Sequence, residues 1–262
     1  ALVRPESKAE KVQELRDRGV DVVEVDMASV ADVAQACQGA FCVVSALSGL
    51  RDVIVDTQTT LLDAAIAAGV DRFIPSDYSI DFTKLPEGEN RNLDLRREFH
   101  VRLDEAPLAS TSIFNGAFMD LLLGGMPLLD RKAKTVGYWE DPDQRMDFTT
   151  MDDTAAFTAA AALDPATPKA LRIAGDRISA HELAAVAGEE YKLVRMGSLD
   201  ELAAMIAKAR AEDPASENSL YPRWQGMQYM HGMFGGLALS ESLDNDRYPN
   251  LQWTTVRDLL EA

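Results

Sequence analysis

"AFCVVSALSGLRDVIVDTQTTLLDAAIAAGVDRFIPSDYS", residues 40–79, sets two kinds of segment side by side. "AFCVVSA" is apolar but for one serine, and continuous rather than alternating hydrophobicity predicts a strand buried on both faces, as in a parallel sheet. "DVIVDTQTTLLDAAIAAG" predicts a long helix that stops at Gly69, and "RFIPS" a second short strand. A strand, a helical crossover and a strand are the repeating unit of a doubly wound α/β sheet.

The same alternation extends in both directions. Towards the N-terminus, "ALV" reads as a strand, Glu6 to Arg18 as a helix with Val12 and Leu15 on one face, and "VDVVEVD" as a strand. "SVADVAQACQG" follows as a helix between an N-cap at Ser29 and a stop at Gly39. Towards the C-terminus, Leu93 to Glu105 is predicted helical and "TSIFN" a strand. The fold class is therefore α/β, a Rossmann-like doubly wound parallel sheet.

Beyond Asn115 the alternation becomes irregular. "TVGYWE" and "MDFTTMDDTAAFTAAAAL" suggest a strand and a strand followed by a helix, with Asp152 and Asp153 as its N-caps. "SAHELAAVAG" and "SLDELAAMIAKARAE" read as capped amphipathic helices, and "YPRWQGMQYMHGMF" is dense in aromatic residues and methionine. The expected organisation is a dinucleotide-binding domain over residues 1–167 and a smaller substrate or lid region over 168–262, joined by part of 116–145.

Composition narrows the functional classes. The 26 Lys and Arg against 43 Asp and Glu leave a net charge of −17, a field that repels nucleic acid and anionic membranes. A small-molecule substrate is the expected partner. Cys37 and Cys42 lack metal or disulfide spacing, and His100, His181 and His231 are scattered, so no metal site is expected. No run approaches the roughly 20 apolar residues of a membrane span, and no basic-then-apolar leader is visible, which suits a cytoplasmic protein.

In a doubly wound nucleotide-binding sheet the residues just after each strand line the dinucleotide. Here they are Arg4, Asp26 and Met27, Ser45, Ala46 and Leu47, Ser76, Asp77 and Tyr78, and Asn115. An acidic residue after the first of these strands would bind a ribose 2′-hydroxyl, whereas an arginine pairs with a 2′-phosphate, so Arg4 points to NADP(H). The plain alternatives are an ion pair of Arg4 with Glu6 and a helix cap at Asp26. Gly116, Phe118 and Met119 follow a strand end and are expected to line a substrate cavity. Tyr229 and His231 belong to an aromatic cluster that reads either as core or as a lid over a hydrophobic substrate.

"ALVRP", "VDMAS", "VVSALSG", "AAIAAGVDRFIPSDYS" and "TSIFNGAFMD" together resemble the NmrA-like and isoflavone-reductase-like group of atypical short-chain dehydrogenases. The resemblance covers Ala1 to about Thr167 and, more loosely, the rest. It implies that "ALVRP" is the second strand of the fold, preceded by a strand and a GxxGxxG turn that this sequence does not contain, and the expectation is that residues outside the sequence carry them. It also places Gln58 near the nicotinamide and puts a lysine, acting as general acid or base, at the position held here by Arg96.

Arginine stays protonated and cannot cycle a proton, although it can polarise a carbonyl. His100, one turn later, has the nearest suitable intrinsic pKa. Tyr78 is a candidate proton donor, but the Tyr-x-x-x-Lys pair of ordinary short-chain dehydrogenases is absent, since Phe82 stands four residues on. The reading is thus an NADP(H)-dependent oxidoreductase acting on a small aromatic, quinone-like or carbonyl compound. The alternatives are a non-catalytic NADP(H)-binding redox sensor acting through a protein partner, and an interaction protein that no longer binds cofactor.

Overall fold

The alternation at the N-terminal end becomes short parallel strands joined by helices in the computed structural model, which describes residues 1–124 and 126–261. Chain contacts divide it into unit 1, residues 1–76 and 98–111, and unit 2, residues 77–97 and 112–262. The boundary differs from the expected one at residue 167. Residues 112–149 belong with the C-terminal region because their strands pair with strands that come after residue 167.

Unit 1 contains β1 (Leu2–Val3), α1 (Ala9–Asp17), β2 (Val23–Glu24), α2 (Val30–Ala36), β3 (Cys42–Val44), α3 (Gln58–Ala67) and β4 (Arg72–Ile74), then the second half of α4 (Arg91–Asp104) and β5 (Ala109–Ser110). Each stop and start has a local cause. The Ser29 hydroxyl accepts from the Asp32 N–H at 3.2 Å and caps α2. A π-helical turn, Asp52–Thr57, leads into α3, and the chain leaves that helix through Gly69 at φ 71°. All the ladders are parallel: β1 with β2, and β3 with β4 with β5. Among the described residues no ladder joins β1 to β3. The core beneath is apolar and continuous, with Val33, Leu62, Phe73 and Phe99 fully buried.

Unit 2 holds β6 (Ser112–Phe114), β7 (Ala117–Phe118), β8 (Leu129–Asp130), β9 (Thr135–Trp139), β10 (Arg145–Thr149), α5 (Met151–Leu163), β11 (Ala170–Arg172), β12 (Asp176–Ser179), α6 (Ala180–Ala187), β13 (Lys192–Gly197), α7 (Leu199–Glu212), α8 (Arg223–Phe234) and α9 (Val256–Glu261). Parallel and antiparallel pairs are mixed: β6 with β11 and β7 with β10 run parallel, whereas β10 with β12 runs antiparallel. Ser179 and Ser198 form capping boxes with Glu182 and Glu201. The cap of α5 is Thr150, not the two aspartates after it. Its hydroxyl accepts from the Asp153 N–H at 3.0 Å, while the Asp153 carboxylate accepts from Thr254 N–H at 2.8 Å.

The stretch between α8 and α9 has little regular structure but many attachments. Lys84 Nζ donates to the Leu239 carbonyl at 3.0 Å and Arg177 to that of Ser240 at 2.7 Å. Asp244 and Arg172 exchange two bonds, Asn245 pairs with the Ala174 backbone, and Arg247 reaches Asp164 at 2.7 Å.

Candidate functional site

In unit 1 the strand-end residues fall into two groups. Arg4 and Asp26 follow adjacent parallel strands, β1 and β2. The Arg4 side chain is 66% exposed and its guanidinium has one described partner, Glu6, at 3.4 Å. Asp26 accepts from the Ala28 N–H at 2.9 Å and so shapes the turn into α2, with Met27 half-buried beside it.

The second group sits after β3 and β4. Ser45 donates its N–H to the Ile74 carbonyl at 2.8 Å, and the Ser76 hydroxyl donates to the Leu47 carbonyl at 2.7 Å. The buried Ser45 hydroxyl has no partner, a costly state for a polar group unless something else satisfies it. Ala46 is exposed. Gln58, which the resemblance places near the nicotinamide, has its amide engaged by the protein itself. It is fully buried, its Nε2 donates to the Ile54 carbonyl at 3.0 Å and its Oε1 accepts from the Ser76 N–H at 2.9 Å. Both ends of the amide thus tie the π-helical turn to the end of β4.

Unit 2 supplies a separate cluster. Asp77 is fully buried, Tyr78 half-buried, and Ser79 accepts the Asn115 N–H on its carbonyl at 3.1 Å. Asn115 is fully buried, and neither atom of its side-chain amide has a partner. Gly116 stands at φ 67°, and a Cβ there would lie 2.2 Å from the Asp147 carbonyl oxygen, so the close approach of β10 requires glycine. Gly116 does border a cleft, with Phe114, Asp147 and Met233, but its free volume of about 10 Å³ is that of one water. Met119, expected to line a cavity, is instead fully buried in the core, while Phe118 is half-buried.

The adjacent arginines of "DLRREFH" have different tasks. Arg97 donates to the carbonyls of Phe82 at 2.5 Å and Leu85 at 3.1 Å, which fixes the loop before α4. Arg96 donates to the Asn92 carbonyl at 2.8 Å and faces Tyr229. Tyr229 is half-buried. Burial raises its pKa above the ordinary tyrosine value, with the Arg96 charge opposing the rise. His231 is half-buried, 4.0 Å from Glu89, and His100 half-buried in α4. Among the described residues no group of His, Cys, Asp or Glu could hold a metal ion, and no helix is long and apolar enough to cross a membrane.

The burial of the Asn115 amide, with neither atom partnered, has no local signal in the sequence, and only the fold shows it.

Three comparisons bear on this arrangement. The model of a family described as the NmrA-like family matches residues 1–192. A "NmrA-like family domain-containing oxidoreductase" of Gibberella moniliformis is 26% identical over 143 residues, 52% of this chain and 46% of that protein, so the match spans under half of the relative. The "Bifunctional pinoresinol-lariciresinol reductase" of Linum album is 25% identical over 259 residues, 90% of this chain and 75% of that one. Among solved structures, AtPrR2 with NADP+ and (+)pinoresinol superimposes with a TM-score of 0.81 at 22% identity, covering 99% of this chain and 88% of the other.

Proposed function

From the premise that this chain belongs to the NmrA-like family, we propose that it is an NADP(H)-dependent oxidoreductase of small aromatic, quinone-like or carbonyl compounds. The observation that carries this reading is Arg4. Its guanidinium stands at a strand end, largely in water and held by one loose contact, so pairing with a ribose 2′-phosphate costs little desolvation. Support comes from the unpartnered Ser45 hydroxyl and Asn115 amide, polar groups that a bound ligand would satisfy. Further support is that the Gibberella relative is described as an oxidoreductase, the Linum relative as a reductase, and the AtPrR2 structure holds NADP+.

The residues present fit the dinucleotide. Arg4 would hold the 2′-phosphate, Asp26 and Met27 would flank the adenine, and Ser45 to Leu47 with Ser76 would contact the ribose and phosphates. Asp77, Tyr78 and Asn115 belong to the same proposed set. When bound, the reduced nicotinamide supplies a hydride. Arg96, always charged, stabilises the negative oxygen of a reduced carbonyl, and the proton must come from another group such as Tyr78 or from water.

The test is a fluorescence titration of the purified full-length protein with NADPH and NADH, followed by turnover on a panel of quinones and aromatic carbonyls. NADPH should bind more tightly, and Arg4→Ala should remove the preference, roughly tenfold or more for the loss of a charged pair to phosphate. Equal affinity for the two nucleotides in the wild type defeats the NADP(H) assignment. Arg96 in place of a lysine favours a second reading, a sensor that binds NADP(H) and acts through a protein partner. Tight NADPH binding with no turnover across the panel would select it.

A further inference from the structure

We infer that the outer edge of β13 docks an extended, acidic segment of a partner protein, which adds to the sheet of β13, β9 and β8 as a further strand. The inference goes beyond the oxidoreductase reading and does not depend on it.

β13 is the outer strand of its sheet, and β9 is its only ladder partner among the described residues. Lys192 pairs with Thr135 and donates its N–H to the Lys134 carbonyl at 3.0 Å, so its backbone groups face β9. In a parallel ladder successive residues turn their N–H and C=O groups to opposite sides, so Leu193 and Arg195 present theirs away from β9. Among the described residues no other backbone reaches those groups. A bulge between Arg195 and Gly197 ends the run. The open edge is therefore short and defined by two outward residues, each with one donor and one acceptor in water.

The side chains along this edge are exposed on both faces of the strand. Val194 and Met196, 39% and 52% exposed, flank Gly137 of β9, where a Cβ would lie 3.4 Å from Met196 Cγ. Leu193, on the opposite face, is 37% exposed. An added strand would take its register from the outward backbone groups and pack its side chains against these apolar ones.

Charge selects the occupant. Lys192 and Arg195 on the strand, with Arg131 and Lys132 in the turn before β9, are exposed, and none of the four forms an ion pair among the described residues. Two neighbouring carboxylates are already engaged. Glu190 pairs with Lys134 at 3.2 Å, and Asp130 accepts from the N–H groups of Lys132 and Ala133, each at 2.9 Å. Glu189, exposed just before β13, is an opposing charge against these four cations. The chain as a whole carries −17, so this positive edge stands against the general field. Lysine and arginine discourage pairing with an identical edge, since a second copy brings the same cations close. They attract a strand whose alternate side chains are carboxylates.

The experiment adds a fluorescein-labelled peptide of alternating valine and glutamate, matched to the six residues of β13, or its valine and lysine counterpart, to the full-length protein. The readouts are fluorescence anisotropy and hydrogen exchange at single amides. The glutamate peptide should bind and the lysine peptide should bind about tenfold more weakly or not at all. Exchange at Leu193 and Arg195 should slow, while that at Val194, already in the ladder with β9, stays the same. Leu193→Pro removes an outward N–H and leaves β9 its bonds, so it should keep the thermal midpoint and weaken the glutamate peptide by about tenfold or more. Lys192→Glu combined with Arg195→Glu should reverse the preference between the two peptides, a test that stands even where the proline variant does not fold. A wild type that does not bind the glutamate peptide, or binds it without protecting Leu193 and Arg195, overturns the inference. So does a dimer in sedimentation that Leu193→Pro abolishes, because the edge then belongs to a second copy of the chain.

Discussion

In unit 1 Arg4 pairs with Glu6, and Arg51 with Asp56 and Glu98, through side chains all 44% exposed or more. In unit 2 Arg172 and Arg177 reach Asp81 and Asp147, whose side chains are 0% and 6% exposed. Exposed pairs contribute little, whereas breaking a buried pair strands a charge away from water. The first unit therefore keeps its shape chiefly through apolar packing and parallel ladders, and its strand-end Arg4 stays largely in water. The second is defined by side-chain bonds between segments distant in sequence.

The sharpest way to break this contrast is at Gly116. Gly116→Ala should cost about 4 kcal/mol, from the positive φ and the overlap with β10, read as a lower urea midpoint. If its stability matches the wild type, the close approach is not what holds β7 to β10. Asp81→Ala should come next, near 3 kcal/mol, because Arg172 and the Thr83 N–H and hydroxyl all lose their acceptor. An effect no larger than that of a surface substitution would erase the distinction between the units.

In unit 1 the corresponding test is a thiol. Burial pushes Cys42 up to about 11, against an unperturbed 9.0, with Arg72 opposing the rise. The folded state thus holds the proton more tightly than the unfolded one, so this contribution to stability is fully present below pH 9 and lost as pH rises towards 11. Alkylation of native Cys42 at pH 8 should run roughly 100-fold slower than that of the unfolded chain. Rapid labelling in the native state would show that β3 opens to solvent. The smallest effect belongs to Glu6→Gln, which should leave the thermal midpoint unmoved; a measurable drop would mean that the exposed pair with Arg4 is structural after all.

How much was legible follows the same division. The unit 1 strands and helices, and the caps at Ser29, Ser179 and Ser198, are local features, and short-range spacing identifies them. Arg4, Ser45 and Ser76 could be placed at strand ends because a strand end is a place in the sequence as well as in space. Burial depth was not legible. Gln58 looked like an exposed helical glutamine or a cofactor contact, and only the fold shows both ends of its amide engaged. Met119 likewise has no spacing that separates a core position from a cavity wall. The charge facing Tyr229 was invisible for a different reason, since Arg96 comes to it through tertiary packing, which leaves no periodicity behind.

The bonds that hold residues 239–256 against unit 2 have a consequence for degradation. A protease needs a pliable, exposed stretch of chain to thread its cleft, and irregular segments usually provide one. Here Arg247, an obvious tryptic site in the sequence, has its guanidinium on Asp164 and neighbours sewn down on either side. Cleavage must wait for a larger part of the unit to open, so the rate at which trypsin cuts after Arg247 would serve as a clock for that opening.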